Sequence, residues 1–230
     1  EAGRRVIPAY VHAPEEERPW APGPASRWWL FHSLHSLDGS LRERGSRLLV
    51  RRGPTLQALK ELLREARADA LYWNRRYEPA AAARDRQVTQ ALEDSGIECR
   101  SFEGALLHRP EAVLNRQGAP YRVFTAFWKS ARREPDAAAL SSAPAHLPAP
   151  PSSLKGLKIE QLELLPAAEH DPNAGWEPGE TGAAGRLRKF LRTSLGDYPE
   201  GRELPAMPGT SRLSPHLHFG EISPLRVRTA

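Results

Sequence analysis

From residue 6 to residue 102 the sequence alternates strand-like and helix-like stretches, and this constrains the fold more than any other feature. Residues 6–11 read as a strand, with Pro8 marking an edge or an irregular end. Ser26 is expected to cap a helix whose apolar positions Trp29, Leu30, Leu34, Leu37 and Leu41 follow helical spacing and stop at Gly45. A short strand, 48–50, ends at Gly53-Pro54, and Thr55 is expected to cap a second helix carrying Leu56, Leu59, Leu62 and Leu63. Residues 70–73 form the next strand, 79–94 the next helix, closed by Gly96, and 97–102 a further strand. Such alternation with short loops implies right-handed crossovers and an α/β fold with a doubly wound parallel sheet. Ligands of these sheets sit at the carboxyl ends of strands, where the loop 74–78 falls.

Composition changes at Glu134. Residues 134–174 form a Pro/Ala-rich acidic linker, and 134–156 are expected to be extended rather than packed. A second block, 175–230, opens with the stripe Leu187, Phe190, Leu191 and Leu195 of an amphipathic helix stopped by Gly196. Two Ser-Pro pairs follow, Ser214-Pro215 and Ser223-Pro224, each the signature of a helix start with serine as cap. The second block is too short for a compact all-helical domain and reads as the beginning of one. Residues 1–133 sum to about +7, 134–182 to about −6 and 183–230 to about +4. Two basic blocks around an acidic connector lean towards a polyanionic partner, although a solvated surface explains the charge equally well. No apolar run is long enough to span a bilayer and no signal-peptide core is visible. A single cysteine, Cys99, excludes a disulfide framework and reads as a small buried hydrophobe. A soluble, cytoplasmic monomer is expected.

The stretch 209–215, Gly-Thr-Ser-Arg-Leu-Ser-Pro, has the parts of an anion site. It offers three hydroxyls, one guanidinium, a glycine that permits close backbone approach and free N–H groups at a helix start. These suit a pyrophosphate, but a plain helix cap uses the same residues. His216 and His218 stand two apart and cannot face one metal from a helix, so no metal site is expected. Neither a Ser/His/Asp arrangement nor a phosphate-binding glycine loop of the GxxxxGK type occurs.

Tyr198, Arg202, Leu204-Pro205-Ala206 and the run 209–224 closely resemble the start of the flavin-binding domain of DNA photolyases and cryptochromes. Stretches 23–27, 46–53, 71–79 and 121–128 resemble the antenna domain of the same family, in the same order and spacing. The resemblance covers nearly the whole chain. It implies an antenna domain over 1–133 that lacks its first strand, then the linker, then the beginning of a helical FAD-binding domain over 175–230. It assigns Tyr198, Thr210, Ser211, Arg212, Leu213 and Ser214 to FAD, and Arg202 to the DNA backbone. For Arg202 the residues alone also allow a surface ion pair with Glu200 or Glu203. The reaction implied is repair of DNA containing pyrimidine dimers, in which reduced flavin excited by blue light lends an electron that splits the dimer.

Three departures shape that expectation. The family's opening strand has no counterpart. The tryptophan electron-transfer chain and most of the lesion pocket are also missing, so no catalytic residue is assigned and the 230-residue chain alone is expected to be inactive. Folate-binding members carry Asn-Glu where this chain has Ala80-Ala81, which argues against a folate antenna and leaves the second chromophore open. Two other functions compete with repair: a cryptochrome-like photoreceptor, and a non-catalytic nucleotide- or chromophore-binding module.

Overall fold

The computed structural model describes residues 5–134, 140–165 and 175–230. The first block runs β1 (Ala9–His12), α1 (Pro24–Glu43), β2 (Leu49–Arg52), α2 (Thr55–Ala66), β3 (Ala70–Asn74), α3 (Pro79–Glu93), β4 (Glu98–Phe102) and α4 (Phe124–Ala131). The second carries α5 (Glu180–Thr193), α6 (Tyr198–Gly201), α7 (Ser214–His218) and α8 (Pro224–Arg228). Every ladder is parallel: β1 pairs with β2 from Ala9 opposite Leu49, and β3 with β4 from Ala70 opposite Glu98. Among the described residues β1 and β3 do not pair with each other. Both line a cleft of about 1910 Å³ whose walls include Leu59, Leu62 and Leu63 of α2.

Leu49 is fully buried against Leu62 and Leu154, on one side of β2. On the other side Val50 packs with Leu34 and Leu41 of α1 and with Leu162 and Leu164. A strand buried on both faces reads as a continuous apolar run rather than an alternation, which is why 48–50 carry no period. The cluster of Leu63, Val88 and Leu92 joins α2 to α3, with Leu71, Ile97 and Cys99 against it. Burial pushes the Cys99 thiol above its ordinary pKa, as suits a packing residue.

Several expected caps are built differently. Helix α1 starts at Pro24 with Gly23 as cap, so Ser26 lies inside its first turn; proline's fixed φ and missing N–H fit that first position. Thr55 does not cap α2 but is its first residue. Its N–H and hydroxyl both donate to the Glu16 carboxylate, at 2.8 and 2.5 Å, so a distant acid satisfies the helix start. Leu37, counted into the apolar stripe of α1, is exposed.

Within 134–156, expected to be extended rather than packed, Leu154 is 2% exposed and packs with Leu49 and Leu62. Further along the connector Ile159, Leu162 and Leu164 belong to the core around β2. Leu157 N–H donates to the Val50 carbonyl at 3.0 Å and Leu147 N–H to that of Arg44 at 2.8 Å. Gly156 passes so close to β2 that a Cβ there would sit 3.1 Å from Val50 N. Residues 135–139 and 166–174 of the expected linker lie outside the described residues. No helix among the described residues is long and apolar enough to cross a membrane.

Tyr10 of β1 is a titratable group that this packing affects. Burial, reinforced by Glu17, pushes its pKa from the ordinary 10.0 to about 12. The folded state holds the phenol proton more tightly, so this stabilisation is complete below pH 10 and is lost as pH rises towards 12. Urea unfolding across that interval should show the wild-type chain losing stability more steeply than Tyr10→Phe. Parallel pH profiles would contradict it.

Candidate functional site

The site begins at a crossing of two glycines. A Cβ on Gly209 would lie 2.4 Å from the carbonyl carbon and oxygen of Gly201, so only glycine lets these backbones touch. The crossing sets the end of α6, which carries Tyr198, beside the segment 209–214. Leu213, 2% exposed, anchors that segment in the cluster of Ala183, Leu187 and Ile222. Thr210, Arg212 and Ser214 are exposed on either side of the anchor and Ser211 is half-buried.

Arg212 adopts φ 52° and the following Leu213 lies in the right-handed helical region. Adjacent residues of opposite hand turn successive N–H groups towards one point, the geometry of an anion-binding nest. Among the described residues none of the N–H groups from 210 to 214 donates a hydrogen bond, and the hydroxyls of Thr210, Ser211 and Ser214 have no partner. The two Ser-Pro pairs therefore diverge. Ser223 accepts from Arg226 N–H at 3.1 Å and is a cap, as expected. Ser214 is the first residue of α7, makes no capping bond and keeps its hydroxyl free. Since α7 is only five residues long, the polar segment before it, rather than a helix dipole, supplies the donors.

The other assigned residues lie nearby. Tyr198 is half-buried, with the Phe190 ring edge-on at 5.6 Å and the Arg202 guanidinium 5.5 Å from its centre. Arg202 is exposed and paired with Glu203 at 3.0 Å, the surface ion pair that the sequence also allowed. The Arg212 guanidinium sits 4.4 Å from the centre of the Trp176 ring, which also receives Arg186 at 4.6 Å. Burial first, then the neighbouring Arg212, pushes the Arg186 guanidinium below its usual range.

What the sequence did not reveal is how this segment is tied to the first block. Trp29 of α1 donates from Nε1 to Glu221 Oε1 at 3.0 Å, and Glu221 Oε2 meets His216 Nδ1 at 2.5 Å. The carboxylate acceptor fixes the histidine proton on Nδ1. Trp29 also lies nearly parallel to Phe219 at 6.1 Å and edge-on to His216 at 5.0 Å and Trp176 at 5.4 Å. Trp29 and Glu221 are 192 positions apart, and no local spacing signals their contact. His216 is fully buried and His218 exposed, and no group of three or more metal-ligating side chains forms among the described residues.

At the carboxyl end of β3 the loop 74–78 is closed by charge. Tyr77 donates to Glu103 at 2.5 Å, Arg75 reaches the same carboxylate at 3.3 Å, and Arg76 bridges Glu17 and Glu78. Burial and Glu103 together push the Tyr77 phenol to about 12. Ala81 is buried and Ala80 exposed, and neither side chain carries a polar atom for a ligand.

The family model for DNA photolyase matches residues 1–151. The chain belongs to the DNA photolyase family. It is 42% identical to the deoxyribodipyrimidine photo-lyase of Agrobacterium fabrum strain C58 over 99% of its own length and 47% of that protein's. It is 34% identical to Cryptochrome-2 of Arabidopsis thaliana, over 95% of its own length and 37% of that protein's. The crystal structure of a bacterial class III photolyase from Agrobacterium tumefaciens superposes with a TM-score of 0.89 at 41% identity, over 98% of this chain and 47% of that one. The chain thus spans about half the length of these relatives. In this family the α/β block and the parallel strands correspond to the antenna domain.

The Trp29 contact makes a direct prediction. Trp29→Ala removes a buried indole and leaves Glu221 short of a donor, and should cost about 3–5 kcal/mol in urea unfolding. Amide exchange should accelerate over α5–α8 more than over β1–β2. A loss below about 1 kcal/mol would show that the indole is not the joint.

Proposed function

We propose that this chain is the amino-terminal part of a light-driven DNA repair enzyme that splits cyclobutane pyrimidine dimers with bound FAD. Residues 1–133 would be the antenna domain, 134–174 the connector and 175–230 the start of the flavin-binding domain. One observation carries the reading: the five N–H groups and three hydroxyls of 210–214 that have no partner among the described residues. A run of backbone donors and hydroxyls with no internal partner among the described residues, held beside a buried anchor, suits a ligand rich in acceptors. A diphosphate is such a ligand. Tyr198, held next to this segment by the crossing of Gly201 and Gly209, would bound the same site.

When bound, reduced FAD supplies the photoexcited electron for dimer splitting. The chain's own residues hold and place. Thr210, Ser211 and Ser214 would offer hydroxyls to the phosphates, Arg212 and Leu213 their N–H groups, and the buried Leu213 would hold the register. Arg202 would exchange Glu203 for a DNA phosphate. The exchange is inexpensive, because an exposed ion pair is worth about 0–1 kcal/mol. The pair Ala80-Ala81 still argues against a folate antenna. Repair is preferred over photoreception because identity to the photo-lyase relative, 42%, exceeds that to the plant cryptochrome, 34%.

Two measurements test this. The protein extended to the length of its relatives should repair thymine dimers in DNA under blue light and not in the dark. An extended protein that binds flavin but leaves dimers intact would overturn repair in favour of photoreception. The 230-residue chain should bind FAD weakly and show no repair. Ser211→Ala with Ser214→Ala should weaken that binding while shifting stability by no more than about 0.5 kcal/mol, because neither hydroxyl has a partner among the described residues. Tight stoichiometric binding by the chain alone would contradict the expectation of an incomplete pocket.

A further inference from the structure

We propose that the segment 116–133, centred on α4, binds single-stranded nucleic acid. The proposal is independent of the flavin reading and concerns a segment of the first block, away in sequence from Tyr198 and Arg202.

Helix α4 stands apart from the cores described above; of its residues only Ala131 is buried. Phe124 is 73% exposed, Trp128 45% and Phe127 37%, and Val123 just before the helix 64%. Residues 123, 124, 127 and 128 follow helical spacing and share one face. Phe124 and Trp128, one turn apart, hold their rings within 8° of parallel at 6.3 Å, with Phe127 6.4 Å from Phe124. A cluster of exposed rings is a contact surface, since scattered single apolar residues need no partner but contiguous ones do.

Charge identifies the partner. From 112 to 133 there is no Asp or Glu, while Arg116, Arg122, Lys129, Arg132 and Arg133 supply five cations. None of these five forms an ion pair among the described residues. Some arginines elsewhere do have a carboxylate, as Arg42 has Asp38 and Arg84 has Asp85; what marks 112–133 is five cations with no acid in the run. Rings interleaved with free cations are the two halves of a single-strand site. The rings stack on bases and the cations follow the phosphates. A purely apolar protein partner would leave the five cations unsatisfied, and duplex DNA would keep its bases out of reach of the rings.

The test is fluorescence anisotropy of a labelled oligothymidylate of about 16 nucleotides with the 230-residue chain, with an oligouridylate arm to compare DNA with RNA. Saturable binding of either is expected. Phe124→Ala and Trp128→Ala should each weaken it about 5- to 100-fold. Both side chains are exposed, so the urea midpoint should hold and serves as the folding control. Arg132→Gln with Arg133→Gln should reduce the slope of log affinity against log salt by about 1.4. Arg42→Gln, which removes a paired cation on α1, should leave binding unchanged. The proposal is overturned by absence of binding at low salt, by equal affinity for duplex DNA, or by binding indifferent to both alanine variants. Sedimentation showing this face buried in a dimer of the chain would also overturn it. FAD titration of the same variants keeps this outcome separate from that of the flavin reading.

Discussion

The indole of Trp29 ties the first block of this chain to the second. It leaves the first turns of α1, which is otherwise committed to the core around β2, and inserts among Trp176, His216, Phe219 and Glu221. Aromatic contacts of this kind combine large buried area with orientation, and the N–H must find an acceptor once water is excluded. Glu221 provides it and at the same time fixes His216, so a carboxylate that would be costly to bury alone is held by two donors. Because His216 lies within α7 and Glu221 just beyond its end, the same contact sets where the segment before that helix can lie. The geometry of the proposed phosphate site is thus inherited from a tryptophan in the antenna block.

The segment itself shows how a loop can be rigid and yet leave its polar groups free. Rigidity comes from apolar and steric sources: Leu213 in its cluster and the contact of Gly201 with Gly209. Neither uses the N–H groups or hydroxyls. Placing a ligand site on groups that packing does not need lets the fold hold them ready without competing for them. The contrast between Ser214, free, and Ser223, a cap, separates the two uses of one sequence signal within ten residues.

The alternation of strands and helices was legible because it is periodic and local, and the elements fall where the pattern puts them to within a few residues. What was not legible depended on partners far away in sequence. Thr55 reads as a cap, yet its donors go to Glu16. Residues 134–156 read as a free linker because prolines stand there among Ala and Ser, yet Leu154 packs beside Leu49, while Ile159, Leu162 and Leu164 beyond it share the cluster of Val50. The role of Trp29 was hidden by its agreement with a helical stripe, since a residue that fits one pattern gives no sign that it serves another. At the site, the run 209–214 was visible as a motif, but only the structure distinguishes a donor-rich surface from an ordinary cap.

The central claim is that the free donors of 210–214, positioned through Trp29, receive a diphosphate. Nuclear magnetic resonance of the 15N-labelled chain during titration with FAD, and separately with riboflavin, addresses it most directly. The account predicts that the amide signals of 210–214 move together with FAD and stay in place with riboflavin, which lacks phosphate. Shifts confined to the cleft between β1 and β3, or equal responses to the two ligands, would contradict it.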